Sequence, residues 1–193
     1  MKYTTLVTPK WMQSVIRWLG NPLLNRGGEY KMAQAFSELM ITTRESALTL
    51  EMMGKKGLRA GDRVREADLV KGTETTKLYD LLYAGGWTLW AFTGTQKPYI
   101  QDVSDALGTF EHEGLSRYII STDSRISSQV SVLYDLDEIA HCVYSVTKPT
   151  FYLIRPDGYV GARVSPKDIH HLKKYIERWI PTDALILKTE SVR

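Results

Sequence analysis

The chain has 193 residues, 43% of them hydrophobic and 24% charged. That composition excludes a wholly disordered chain and fits one ordinary domain with an appendage. Lys and Arg number 25 against 22 Asp and Glu, a net charge of +3, too weak a surplus to point to nucleic acid. The single cysteine, Cys142, excludes an intrachain disulfide, a CxxC redox pair and a cysteine-rich zinc site.

Residues 10–19 place Trp11, Met12, Val15, Trp18 and Leu19 near one face of an expected helix. Gly20-Asn21-Pro22 ends it. After Gly27-Gly28 a second helix is expected from Glu29, with Met32, Phe36, Leu39 and Met40 at helical spacing. Residues 41–50 read as extended or irregular. Gly54-Lys55-Lys56-Gly57 is a flexible basic break, and the domain boundary is placed there. The expected organisation is a helical and linker segment over 1–56, a domain over 57–180 and a polar tail over 181–193. The longest uncharged stretch, 81–96, is broken by Gly85-Gly86 and falls short of the ~20 apolar residues of a helical span. The first twenty or so residues lack a continuous apolar run and a small-x-small cleavage pattern. A cytoplasmic chain without membrane association is therefore expected.

Beyond the break, 58–69 reads as a charged loop with a turn at Gly61-Asp62. Residues 77–82 (KLYDLL) read as a short helix or turn, and 86–93 (GWTLWAFT) as a buried aromatic strand. A helix over 98–110 opens with Pro98 and turns Ile100, Val103, Ala106, Leu107 and Phe110 inward. A strand follows over 116–121, then a helix over 135–144 with Asp135 near its N-terminus. Strands over 150–154 and 159–164 are joined by Arg155-Pro156-Asp157-Gly158, a strong tight-hairpin signal. The last helix spans 167–180, with Ile169, Leu172, Ile176 and Trp179 inward, and Pro181 stops it. The order from residue 77 is β-α-β-α-β-β-α. It is similar to the thioredoxin-like arrangement, an α/β fold with a central mixed sheet flanked by helices. That resemblance implies a cis bond before Pro149, which precedes the hairpin.

Three segments extend the resemblance. Gly57-Leu-Arg-Ala-Gly-Asp-Arg63, Leu78-Tyr-Asp-Leu-Leu82 and Leu153-Ile-Arg-Pro-Asp-Gly-Tyr-Val160 occur in this order. Together they resemble the C-terminal thioredoxin-like domain of the FAD-dependent aromatic (phenol-type) hydroxylases, a group of monooxygenases. Residues 39–46 resemble the segment leading into that domain, and 11–40 the last helices of the catalytic part. The chain departs from the pattern at Arg65-Glu66, where the family carries a Pro-Asp pair. It also has no Gly-x-Gly-x-x-Gly loop for a dinucleotide pyrophosphate. The resemblance thus implies an assembly or accessory module that binds no cofactor alone, with FAD only in a partner or a missing catalytic part. Expected partners are a second copy, giving a homodimer, or a flavin hydroxylase. The exposed apolar stripe expected on the N-terminal helices agrees with such association.

No catalytic, cofactor-binding or metal-ligating set is assigned. The turn after the strand over 86–93 reads Gly94-Thr95-Gln96-Lys97-Pro98 and has no cysteine for thioredoxin chemistry. Cys142 lies within a helix and is expected to be buried and unreactive. His112, His141, His170 and His171 form no zinc-type spacing; the last two are adjacent, pointing about 100° apart on a helix. Asp135 and Asp137 have a sufficient role at a helix start. Pro149, Arg155, Pro156, Asp157 and Gly158 are the structural candidates, the last four as turn residues, although Arg155 could serve a binding turn. The rival functions are a free-standing protein that binds an aromatic ligand, and a thiol oxidoreductase using Cys142.

Overall fold

The computed structural model describes residues 42–82, 86–96, 100–125 and 128–180. The helices expected over 10–19 and 29–40, the Pro98 turn and the tail after 180 lie outside them. Contacts divide the chain into two compact units, Met1–Ile41 and Thr42–Arg193, and every described residue belongs to the second.

The strands are β1 (Leu50–Glu51), β2 (Asp68–Lys71), β3 (Glu74–Lys77), β4 (Trp87–Phe92), β5 (Leu115–Ser121), β6 (Ser131–Tyr134), β7 (Thr150–Ile154) and β8 (Val160–Val164). The helices are α1 (Ile100–Gly108), α2 (Ile139–Tyr144) and α3 (Ile169–Trp179), with 3-10 turns at Tyr79–Leu82 and Pro166–Asp168. One mixed sheet runs in the order β1-β8-β7-β4-β5-β6-β2-β3. Strands β4, β5 and β6 are parallel neighbours, while β7 is antiparallel to both β4 and β8.

Strand β4 lies at the centre because its sequence suits burial on both faces. Trp90 and Phe92 enter one core with Leu58, Leu69, Leu78, Tyr144 and Tyr152. Leu89 and Ala91 alternate into the other with Val103, Leu107, Phe151, Leu153, Leu172 and Ile176. The two-residue period of a strand divides a nearly continuous apolar run between two layers. Each large side chain so buried contributes roughly 1.5–3 kcal/mol. In α3, Leu172, Tyr175 and Ile176 are buried, the i, i+3, i+4 spacing of one helical face.

The structure departs from the sequence reading in several places. Residues 42–56, assigned to the linker, join the sheet through β1, which pairs in parallel with β8. Two strands, β2 and β3, form a hairpin that begins inside the stretch 58–69, expected as a charged loop, and ends at Lys77, where a short helix or turn is expected; Gly72 at its turn has φ 63°. Strand β6 completes the parallel set. Helix α2 begins at Ile139 rather than Asp135, because the chain passes through a left-handed Glu138 (φ 56°) first. The Lys148–Pro149 bond is trans, since no described peptide bond is cis. Trans is the lower-energy isomer, and the Thr150 hydroxyl holds the Lys148 carbonyl oxygen at 2.9 Å in that arrangement.

Candidate functional site

The carboxyl ends of parallel strands are where open α/β sheets place ligands and chemistry. Here β4 runs into Thr93, Gly94, Thr95 and Gln96, opposite the segment Thr147–Pro149. The Thr93 amide donates to the Ile120 carbonyl oxygen at 3.0 Å, and the Gln96 amide to that of Thr147 at 3.0 Å. The two segments pack so closely that a Cβ on Gly94 would lie 2.8 Å from Lys148 backbone atoms and 2.9 Å from the Thr147 oxygen. Gly94 also has φ 80°, so glycine is required twice over, by space and by conformation. The Thr93 hydroxyl is buried without a hydrogen-bond partner among the described residues. Hydroxyls, a glycine and an amide line this turn, and none of them is a thiol.

Cys142 sits elsewhere, on α2, and is exposed rather than buried. The reason is helical phase. Ala140, His141 and Tyr144 are the α2 residues turned into the core, which leaves Cys142 outward, on the same side of the molecule's burial boundary as exposed Leu136 and Ile139.

Beneath α2 lies a buried pair that the sequence reading did not join. Asp135 accepts from the amides of Ala140 at 3.1 Å and His141 at 2.8 Å, and from His141 Nδ1 at 2.6 Å. The two side chains are 1% and 0% exposed. Burial alone would raise the Asp135 pKa, but the hydrogen bonds from the His141 ring and the two amides bring it below the usual carboxylate value. His141 packs edge-on against Phe92 at 5.0 Å, and its Nε2 is buried without a hydrogen-bond partner among the described residues. Asp135 is thus a helix-capping carboxylate acting from five and six residues upstream. A helix-start preference was legible at Asp135; its pairing with His141 was not.

A second buried charge ties the 51–58 segment to β8. Arg163, whose side chain is 4% exposed, pairs with Glu51 at 2.8 Å. Its remaining donors reach the carbonyl oxygens of Gly54, Lys56 and Leu58 at 2.6, 2.7 and 2.7 Å. Glu51 in turn accepts from the amides of Met53 and Ala60. The Tyr144 hydroxyl accepts from the Arg65 amide and donates to the Arg65 carbonyl oxygen, and burial pushes its pKa well up. No sequence signal marked these long-range partners.

The hairpin candidates lie where the turn requires them. The Gly158 amide donates to the Arg155 carbonyl oxygen at 3.0 Å, with Gly158 at φ 80°. Asp157 pairs with the Arg155 guanidinium. Gly61-Asp62 is a turn as well: the Asp62 amide donates to the Arg59 carbonyl oxygen, and the carboxylate binds Arg44 at 2.7 Å. Pro149 is buried immediately before β7. The rings of His170 and His171 lie together, with centroids 4.0 Å apart, rather than diverging. No third His, Cys, Asp or Glu joins them in a metal-ligand cluster among the described residues. No helix among the described residues is long and apolar enough to cross a membrane.

Neither the protein-family models nor the curated proteins contain a match to this chain. Solved structures do resemble it. A protein described as a thiol:disulfide interchange protein, DsbE, from Chlorobium tepidum is 19% identical, with a TM-score of 0.52 over 62% of this chain and 96% of that one. PrxQ from Xylella fastidiosa is 16% identical, with a TM-score of 0.49 over 64% of this chain and 100% of that one. The flavin-dependent monooxygenase PieE, solved with FAD and substrate, is 17% identical, with a TM-score of 0.48 over 69% of this chain and 24% of that one. With a central mixed sheet, helices on both faces and this likeness to DsbE, the described part of the chain has the thioredoxin-like α/β fold.

Proposed function

We propose that the chain is a redox-inert thioredoxin-like module that serves assembly, as a homodimer or as an accessory part of a flavin-dependent aromatic hydroxylase. One observation carries the redox-inert half: the turn after β4, packed against Thr147–Lys148, offers hydroxyl, amide and backbone groups and no thiolate. Thiol–disulfide exchange needs a thiolate as attacking group. The flavoprotein half is supported by the order of the segments 57–63, 78–82 and 153–160. FAD would be held by the partner, since this chain has no glycine-rich dinucleotide loop.

The second reading is thiol chemistry at Cys142. The exposure of that residue favours it. The printed names of the solved neighbours also favour it over the hydroxylase association, as they are mostly thiol–disulfide oxidoreductases and peroxiredoxins. With one cysteine, such chemistry would pass through a mixed disulfide with a second molecule rather than an internal disulfide.

Two measurements on the purified chain separate the readings. Insulin-disulfide reduction should stay at the uncatalysed rate, and light scattering should give a mass of two chains or of a complex with a flavoprotein. Turnover that Cys142→Ser abolishes would establish the thiol reading instead. A strict monomer that also fails to capture a flavin-binding chain would remove the assembly reading.

A further inference from the structure

Among the described residues the exposed large apolar side chains are Met52, Leu136 and Ile139. Two of these stand together at the start of α2, Leu136 54% and Ile139 47% exposed. Cys142 extends the patch, exposed three residues beyond Ile139, and residues three apart are neighbours on a helix surface. The inward burial of Ala140, His141 and Tyr144 turns this stripe outward. The Asp135 carboxylate fixes that phase by accepting the Ala140 and His141 amides. Burying an apolar side chain stabilises it by roughly 1.5–3 kcal/mol relative to leaving it in water, so Leu136 and Ile139 forgo that gain in a single chain.

Charge is segregated along the same helix. Asp137 and Glu138, both exposed, immediately precede its first residue. At its other end the chain 55–58 docks on the last turn. The Leu58 amide donates to the Tyr144 carbonyl oxygen at 3.4 Å. A Cβ on Gly57 would lie 2.6 Å from that oxygen and 3.1 Å from Ser145 Cβ, so glycine permits the approach. Arg163 Nη1 holds the Lys56 carbonyl oxygen there at 2.7 Å. Lys55 and Lys56, both exposed, are thereby carried to the carboxyl end of α2. None of these two acids and two lysines has an ion-pair partner among the described residues. A helix of six residues is about 9 Å long, so acids, apolar stripe and lysines follow one another along one short axis.

That order is complementary to its own reverse. A two-fold contact sets one patch against the same patch of a second copy. With the two helices antiparallel, the apolar stripes meet, and the acids of each copy face the lysines of the other. We propose that the α2 face of Leu136, Ile139 and Cys142, flanked by Asp137 and Glu138 at one end and Lys55 and Lys56 at the other, is the contact between two copies of this chain. The inference rests on the homodimer arm of the assembly reading and names its surface. A patch this small belongs at the low end of interface sizes, and its charged ends are open to screening. The dimer therefore dissociates on dilution and with added salt.

The test uses the full chain. Light scattering over a concentration series should show the mass rising from one chain to two, and salt should move that rise to higher concentration. Cys142 is the only thiol and reports the face directly: its reaction with a thiol reagent should slow over the same concentration range. Ile139→Glu should weaken the dimer roughly tenfold or more, as loss of a central contact does, and should make the thiol rate independent of concentration. Reversing the acids (Asp137→Lys with Glu138→Lys) or the lysines (Lys55→Glu with Lys56→Glu) sets like charges opposite each other, so each variant alone should stay monomeric. Mixed, the two variants should associate, because opposite charges then meet at both ends. Circular dichroism and melting temperature are the folding controls. A dimer that Ile139→Glu leaves intact overturns this face while the assembly reading stands on another surface. A mixture that associates no better than its components overturns the antiparallel charge match. Thiol protection that appears only with an added flavin-binding chain overturns the second copy as occupant. A strict monomer overturns the proposal, and the assembly reading then depends on capture of a flavoprotein.

Discussion

At the residue scale, the buried charges determine how the molecule responds to substitution and pH. Arg163 and Glu51 satisfy one another and five backbone groups. Removing one partner leaves the other charged and enclosed, so Glu51→Gln or Arg163→Met should lower the unfolding free energy by about 3–5 kcal/mol, read as a lower urea midpoint. Asp135 has a lowered folded pKa. Its contribution is present above the unfolded carboxylate pKa and is lost as pH falls through the folded value. Acid unfolding should therefore begin later in the wild type than in Asp135→Asn, whose α2 amides have lost their carboxylate at every pH; circular dichroism against pH checks this. Burial pushes the phenols of Tyr152 and Tyr175 up to about 12. Their neutral forms favour the folded chain, so stability should fall as pH rises from the unfolded phenol value of ~10 towards 12. Cys142 is exposed. One thiol should react with a thiol reagent in the native state, and Cys142→Ser should change stability by less than about 0.5 kcal/mol. Its exposure was not legible because the expectation of burial rests on residue type, whereas helical phase, with Ala140, His141 and Tyr144 inward, decides it.

At the element scale, short segments depend on partners far along the chain. Strand β1 has two residues and exists through β8 and the Arg163 clamp; residues 41–50 alone read only as extended or irregular. The β4–α1 turn depends on Gly94. Gly94→Ala would place a Cβ 2.8 Å from Lys148 backbone atoms and impose a left-handed conformation costing roughly 1–2 kcal/mol. The turn and the segment before β7 should separate, giving a lower melting temperature and faster hydrogen exchange at the Gln96 amide, which donates to Thr147. The β7–β8 hairpin was the most legible element, because Pro-Asp-Gly defines its turn locally. Its register shift between Leu153 and Ile154 was not, since Gly161 is needed for the packing of Trp87 and Tyr175 from distant elements.

At the scale of the whole molecule, the sheet order predicts a gradient of stability. Strands β4, β5 and β7 are interior and largely buried, whereas β3 and β1 are the edges. Native-state hydrogen exchange should show the Leu89–Phe92 and Phe151–Leu153 amides opening with the free energy of global unfolding, and those of Thr75–Lys77 opening well below it. Equal protection across the sheet would contradict that gradient. The sequence by itself determined the central layers, since a short, nearly continuous apolar run in GWTLWAFT suits a strand buried on both faces and a helical period in 169–179 suits a helix buried on one. It also determined that no thiol stands after β4, because that needs only the residue types at 94–98. Tertiary structure alone decided the pairing of Asp135 with His141, the Arg163–Glu51 clamp, and the β2–β3 hairpin beside β6. The reason is physical: periodicity and turn preference are properties of adjacent residues, whereas a buried charge finds its partner only when the chain closes on itself, and Glu51 and Arg163 are 112 positions apart.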